Sequence, residues 1–322
     1  MSPSKISRRT FLQAVSAGAV SLSFGERDLI ATQQKKNQSA KHPGLGFSLY
    51  GMRSLKVSKA IQVCSKIGYD SVELVATAGW PTDPLQLSKT DRREVRSALK
   101  DNDMGLAGVM ENIHLITDAQ TQKKNLDRLR ASCELTREMA QHDVPVLETV
   151  LGGKSKAWKE VKGEMVKRLE EWEKVARSTK TIVAIKAHVG GALHTPEGAK
   201  WLVDQIDSPW IKLNYDFSHF QLIGLDLEKS LTTMVNDAVF IHIKDTKGKA
   251  GNFQFLLPGD GNIDYRKYLD IIRKSAYRSD LVVEVSGQIH GKPGYDPIQA
   301  AKHSYKNMAP IMKESRKRHQ NS

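Results

Sequence analysis

Residues 211–245 read IKLNYDFSHFQLIGLDLEKSLTTMVNDAVFIHIKD. Two short apolar runs in this stretch end in ionisable groups. IKLNYD stops at Asp216, with His219 three residues on; AVFIHIKD leads to His242, with Lys244 and Asp245 behind it. Apolar runs of strand length, joined by a segment of helix length, make a βαβ unit with parallel strands. In parallel α/β folds, polar side chains at the C-terminal ends of strands face the binding crevice. A carboxylate and an imidazole at two neighbouring strand ends can therefore share one ion.

The same alternation runs outward in both directions. Strand candidates are 45–50, 71–75, 105–110, 144–150, 181–187, 211–216, 238–244 and 280–286. Helix-like stretches follow them at 55–67, 88–102, 119–141, 155–178, 195–206, 226–236, 264–277 and 296–315. Apolar residues in the helices recur at three and four, as in Met165, Leu169, Trp172 and Val175. Eight βα units in about 275 residues predict a (β/α)8 TIM barrel, with an open doubly wound sheet as the alternative. No GxGxxG follows any strand candidate, so a dinucleotide site has no support.

The chain has 322 residues and a formal net charge of +13, densest in the tail KESRKRHQNS. No basic patch is interleaved with aromatic residues, so the charge reads as solvated Lys-rich helix faces and no nucleic-acid partner is expected. Cys64 and Cys133 each sit in a helix-like segment; they form no disulfide framework or zinc spacing and read as buried thiols. Near the N-terminus, Ser7-Arg8-Arg9-Thr10-Phe11-Leu12 precedes a short, weakly apolar stretch. It closely resembles a twin-arginine export signal, an address read by a receptor. The apolar stretch is too short for a membrane span, so no stable membrane anchor is expected. Residues 1–43 are therefore assigned to signal and linker, 44–322 to the barrel domain, and the protein to the periplasm or another exported location.

If the chain closes into a barrel, the strand ends converge. They bring Glu111 and His114, Glu148, Lys186 with His188, Asp216 with His219, His242 with Lys244, and Glu284. Taken singly, each has a structural explanation as a capping or hydrogen-bonded residue. Ionisable groups at five successive strand ends are costly to bury without a partner, and a divalent ion offsets that cost. Two or three carboxylates with one imidazole suit Mn, Mg, Co or Zn. Trp80, in the loop AGWPTDP after the second strand, is on the ligand side and could stack on a sugar face or pack against the barrel.

Four segments resemble the xylose isomerase-like TIM-barrel superfamily over roughly residues 44–312: DFSH at 216–219, HIKD at 242–245, PGDGNIDY at 258–265 and VVEVSG at 282–287. The resemblance implies metal ligands Asp216, His242 and Glu284 and a substrate-binding role for His219. It also matches Glu73 to a strand-two Glu of the family. One position departs from the pattern. Where the superfamily's epimerases usually carry a Glu at the end of the fifth strand, this chain has Lys186. An ammonium cannot ligate a metal, so Glu148 is the substitute fourth ligand. The segment KAHVGGALHTPE at 186–197 resembles the corresponding stretch of inosose dehydratases, which tilts the expectation from epimerase towards dehydratase or lyase.

The expected function is therefore a metal-dependent enzyme on a small carbohydrate or cyclitol, removing a proton next to a carbonyl. Lys186, Glu284 and His188 are the expected proton-moving or charge-stabilising groups; His219, Lys244 and Trp80 are the expected substrate contacts. Lys186 reads either as a neutral base or as a charged group facing an oxyanion. The competing readings are an AP-endonuclease-like nuclease and a non-catalytic carbohydrate-binding barrel.

Overall fold

The computed structural model describes residues 42–140 and 144–320. The twin-arginine-like stretch, its cleavage site and the linker up to residue 41 lie outside them.

Eight parallel strands close a barrel: β1 (Leu45–Ser48), β2 (Ser71–Val75), β3 (Gly105–Glu111), β4 (Val146–Val150), β5 (Ile182–Lys186), β6 (Ile211–Tyr215), β7 (Ala238–Ile243) and, past the antiparallel hairpin β8 (Asp245–Lys249) and β9 (Asn252–Leu256), β10 (Leu281–Val283). Pairing of β1 with β10, Leu45 opposite Leu281 and Phe47 opposite Val283, shuts the ring and excludes the open sheet. The helices are α1 (Val57–Ile67), α2 (Lys89–Asp101), α3 (Ala119–Met139), α4 (Trp158–Thr179), α5 (Pro196–Ile206), α6 (Phe217–Leu222), α7 (Leu227–Met234), α8 (Tyr265–Lys274), α9 (Gly287–His290) and α10 (Pro297–Gln320). None of the helices among the described residues is long and apolar enough to cross a membrane.

The local chemistry explains where these elements start and stop. Side chains of Ser88, Asp118, Thr195, Asp226 and Asp264 each accept from a backbone N–H in the first turn of the following helix. α1 ends at Gly68, whose φ of 112° is left-handed and whose N–H closes on Cys64 and Ser65; a Cβ there would lie 2.5 Å from the Tyr305 hydroxyl. Helix stripes such as Met165, Leu169, Trp172 and Val175 are buried against the strands, as the spacing predicts. Both cysteines are buried and free.

Several elements depart from the sequence reading: the first strand ends at Ser48 and turns into a 3-10 helix over Leu49–Met52, α6 and α9 are short helices the spacing does not predict, and two further departures shape the barrel mouth. Residues 246–256 read as loop, yet β8 and β9 form a hairpin with Thr246 opposite Phe255. Its period-two signal is confined to Phe253 and Phe255, set among Gly and Lys. Phe255 packs with Val189 and Leu222, so the hairpin covers one side of the barrel mouth. The second departure is β10, which shortens to three residues, although the Glu284 N–H still donates to Ile243 in the barrel ladder.

Asp245 explains the adjoining PGDGNIDY segment. Its buried carboxylate accepts from the backbone N–H groups of Gly259, Gly261 and Ile263. A Cβ on Gly261 would meet Asp245 at 2.8 Å, so the loop can wrap this carboxylate only with glycine there. This is a structural duty. We expect Asp245→Ala to leave buried donors unpaired and to lower unfolding free energy by about 2–4 kcal/mol. Urea denaturation followed by circular dichroism reads this directly, and a change below about 0.5 kcal/mol would rule the role out.

Candidate active site

The C-terminal ends of β4 to β7 and β10 bring one ionic cluster together. Glu284 Oε2 is its hub. It accepts from Lys186 Nζ and Lys244 Nζ, each at 2.9 Å, and lies 3.0 Å from His242 Nδ1. Lys186 Nζ also lies 2.9 Å from His242 Nδ1 and 3.9 Å from Glu148 Oε2. Lys244 donates to Asp216 Oδ2, and Asp216 Oδ1 caps α6 by accepting from the Ser218 N–H and hydroxyl. His219 Nε2 is 3.4 Å from Asp216 Oδ2, while its buried Nδ1 has no partner among the described residues. The His188 ring lies 4.1 Å from that of His219 between centroids, tilted by 48°, and accepts the Gly190 N–H at Nδ1. In neutral His188 that places the proton on Nε2.

Beneath the hub, His242 Nε2 is 3.0 Å from Glu73 Oε2, and Asn214 donates to Glu148 Oε2 at 2.8 Å. Glu73, Glu148, Asn214, Asp216, His242 and Lys244 are all buried, and Glu284 keeps 9% exposure. All the contacts of Glu284 among the described residues fall on Oε2, so Oε1 is its free oxygen.

Burial alone would keep these carboxyls protonated. At Glu284 the ammonium groups of Lys186 and Lys244 override it and hold the carboxyl well below the usual range. At Asp216, Lys244 and His219 do the same. Glu148 shows the opposite balance: burial dominates and lifts it to about 7. Burial depresses Lys186 too, but Glu148, Glu284 and Asp216 outweigh it and hold the lysine firmly protonated. Burial and the Lys186 ammonium beside Nδ1 push His242 down, and the carboxylates of Glu73 and Glu284 push it up on balance. Burial, together with nearby cations, keeps His188 and His219 neutral. The Asp216 and Glu284 carboxylates thus face two ammonium groups, the Lys186 ammonium takes His242 Nδ1 as an acceptor at 2.9 Å, and the deeper Glu148 is half-protonated near neutrality.

The signs of these shifts give an acid limb. Asp216 and Glu284 are depressed when folded, so their stabilisation is present above the unfolded carboxyl value of about 4 and is lost as pH falls below it. Neutral His188 and His219 act in the same direction there. We expect the urea midpoint to drop steeply from pH 5 to 3.5, with a shallower drop in Asp216→Asn. Equal slopes in wild type and variant would contradict the assignment.

Six of the sequence-predicted residues meet in the cluster: Lys186, Asp216, His219, His242, Lys244 and Glu284. His188 stands beside it. Glu148 lies one layer deeper: its ligand atoms group with Glu73 and His242, whereas the other group is Asp216, His242 and Glu284. Glu111 is drawn away by Arg128 at 2.9 Å and Ser132 at 2.8 Å, a clamp that also ties Arg128 to Ala76 and Asp83 in the Trp80 loop. His114 is exposed. Trp80 stacks on Tyr50 at 4.7 Å, with the Arg53 guanidinium 4.7 Å from its ring centroid. Those neighbours cover the faces a sugar would use, which favours packing. The sequence reading did not single out Asn214, Tyr50, His290 or Phe255. For Asn214 the signal existed: a lone amide inside an apolar strand, two residues before Asp216.

The donor chemistry fits a divalent ion. Asp216, His242 and Glu284 each offer a ligand atom, all within 4.8 Å of one another. Glu73 engages His242 Nε2 and leaves Nδ1 facing the two carboxylates, the carboxylate–histidine arrangement typical of metal ligands.

A family model described as xylose isomerase-like TIM barrel matches residues 61–310. The chain is 26% identical over 157 residues to an inosose dehydratase of Clostridium tetani, a match covering 44% of this chain and 51% of that protein. It is 21% identical over 248 residues to an L-ribulose-5-phosphate 3-epimerase of Escherichia coli, covering 74% of this chain and 86% of the relative. The crystal structure of the IOLI protein with a bound zinc atom superposes with a TM-score of 0.71 at 17% identity, over 84% of this chain and 99% of that one. At that identity the likeness shows the fold.

Proposed function

The chain belongs to the xylose isomerase-like TIM barrel family, and from that premise we propose that it removes a proton next to a carbonyl of a sugar or cyclitol, as an isomerase or epimerase or as a dehydratase or lyase. The observation that carries this reading is the hub itself. One oxygen of Glu284 is clamped by two ammonium groups, and the other is free at the mouth of a family barrel.

Each residue takes a role from its environment. Glu284 Oε1 accepts the carbon-bound proton. Lys186 and Lys244, already converging on one oxygen, face the negative charge that grows on the substrate carbonyl oxygen. Because its carboxylate neighbours keep Lys186 charged, it acts as donor and not as a neutral base. His188 offers Nε2–H and His219 its unpartnered Nδ1 to substrate hydroxyls. In a dehydratase the same side of the site would protonate the departing hydroxyl. A divalent ion held by Asp216, His242 and Glu284 would add Lewis-acid stabilisation of the same oxygen.

A second reading, the non-catalytic carbohydrate-binding barrel, draws on the contact of Lys186 with Glu148 at 3.9 Å. It is the weaker one, since the shorter contacts of Lys186 are to Glu284 and His242. The two are separated by incubating purified protein with keto-sugars and inososes in deuterated water. Deuterium should enter the carbon next to the carbonyl, read by NMR. Binding without exchange across the panel would leave the binding barrel standing. Export is part of the same proposal, supported by SRRTFL at 7–12. Retention of an Arg8→Lys, Arg9→Lys double variant in the cytoplasm is the expected fractionation result, and unchanged export would refute it.

A further inference from the structure

Lys186 is seated on the candidate ion ligands themselves. His242 Nδ1 and Glu284 Oε2 are 3.0 Å apart, and Lys186 Nζ lies 2.9 Å from each. An ion bound to both at about 2.0–2.2 Å would have to sit within about 4 Å of that ammonium, whichever side of the pair it took. The third ligand is also engaged, since Lys244 donates to Asp216 as well as to Glu284. Lys186 is 4% exposed, so it cannot retreat to water. Among the described residues, the other carboxylate oxygen within 4 Å of it, Glu148 Oε2 at 3.9 Å, already accepts from Asn214. A cation entering this site therefore meets a fixed positive charge in its own ligand shell, with no uncommitted carboxylate among the described residues to receive it.

We propose that the Lys186 ammonium and a divalent cation compete for His242 Nδ1 and Glu284 Oε2, so that the lysine holds the ligand set assembled without an ion and makes ion binding weak. Lys186 is in this sense an internal, covalently tethered counter-ion. The proposal concerns ion binding alone and does not depend on which substrate the barrel takes.

The experiment is a Mn2+ titration of chelator-stripped protein by calorimetry, with the melting temperature recorded with and without the ion. Wild type is compared with Lys186→Met, which removes the ammonium at similar volume, and Lys186→Glu, which adds a fourth carboxylate. We expect Lys186→Met to bind Mn2+ at least about tenfold more tightly than wild type, and Lys186→Glu more tightly again. Wild type should shift its melting temperature by less than about 2 °C in 1 mM Mn2+. Wild type binding Mn2+ as tightly as Lys186→Met would overturn the proposal. If neither variant folds, wild type decides alone. Weak binding with a small shift supports the competition; sub-micromolar binding, or stoichiometric metal that survives the chelator, refutes it. Since turnover is not measured, either result leaves the proton-abstraction reading to its own test.

Discussion

Lys186→Met is expected to lower kcat/KM for carbonyl-adjacent proton exchange by about 10²–10³-fold, the usual cost of losing one donor aimed at a developing oxyanion. The argument rests on position and charge together. Lys186 closes β5 on the ligand face of the barrel, and its ammonium shares Glu284 Oε2 with that of Lys244. A substrate carbonyl oxygen brought to this mouth meets both positive charges in a site from which most water is excluded, where each is worth more than in solution. Lys244 survives in the variant, so the loss should be partial and fall mainly on kcat, since the charge develops in the transition state. Exchange in deuterated water, measured on protein whose circular dichroism matches wild type, tests this. Wild-type exchange rates in a folded Lys186→Met protein would remove Lys186 from the chemistry.

The charge state of Lys186 is what sequence alone leaves open. The two alternatives, neutral base or charged donor, depend on carboxylates 98 and 38 residues away, Glu284 and Glu148, whose distances only the closed barrel sets. Asp216, His242 and Glu284 were legible because strand-end residues in a parallel barrel must converge, whatever the details of packing. Asn214 was not. The pairing of β6 with β7 shifts register between Leu213 and Asn214, so simple alternation fails to say which face that side chain takes. Glu73 was matched to a family position without a role; its role appears only with His242, 169 residues on. Trp80 lies in the loop after β2, but Tyr50, read as the end of a strand, and Arg53 come from the 3-10 turn after β1 and occupy its faces. The hairpin was missed because its two aromatic residues lie among Gly, Lys and Asn, a composition that reads as loop.

Glu284→Gln should be the most damaging single change, because it removes chemistry and charge balance at once. The amide cannot accept a proton at Oε1, which by itself should cost about 10²–10⁴-fold in turnover. At Oε2 it replaces the anion shared by Lys186, Lys244 and His242 with a neutral oxygen. Lys244 keeps Asp216, but Lys186 is left with Glu148 at 3.9 Å, a carboxyl that burial has already lifted to about 7. Breaking a buried ion pair from one side typically costs about 3–5 kcal/mol, since the remaining charge stays out of water. For a domain of this size, that corresponds to a melting-temperature drop on the order of 6–15 °C. The double variant Glu284→Gln, Lys186→Met should regain part of that stability, as it deletes the stranded ammonium, yet regain none of the turnover. That split is the discriminating result: stability is repaired by restoring charge balance, whereas exchange needs the Oε1 carboxylate itself. If Glu284→Gln melts with wild type, Glu284 is not the hub of the cluster; if the double variant is no more stable than the single one, the charge-balance account of the site is wrong.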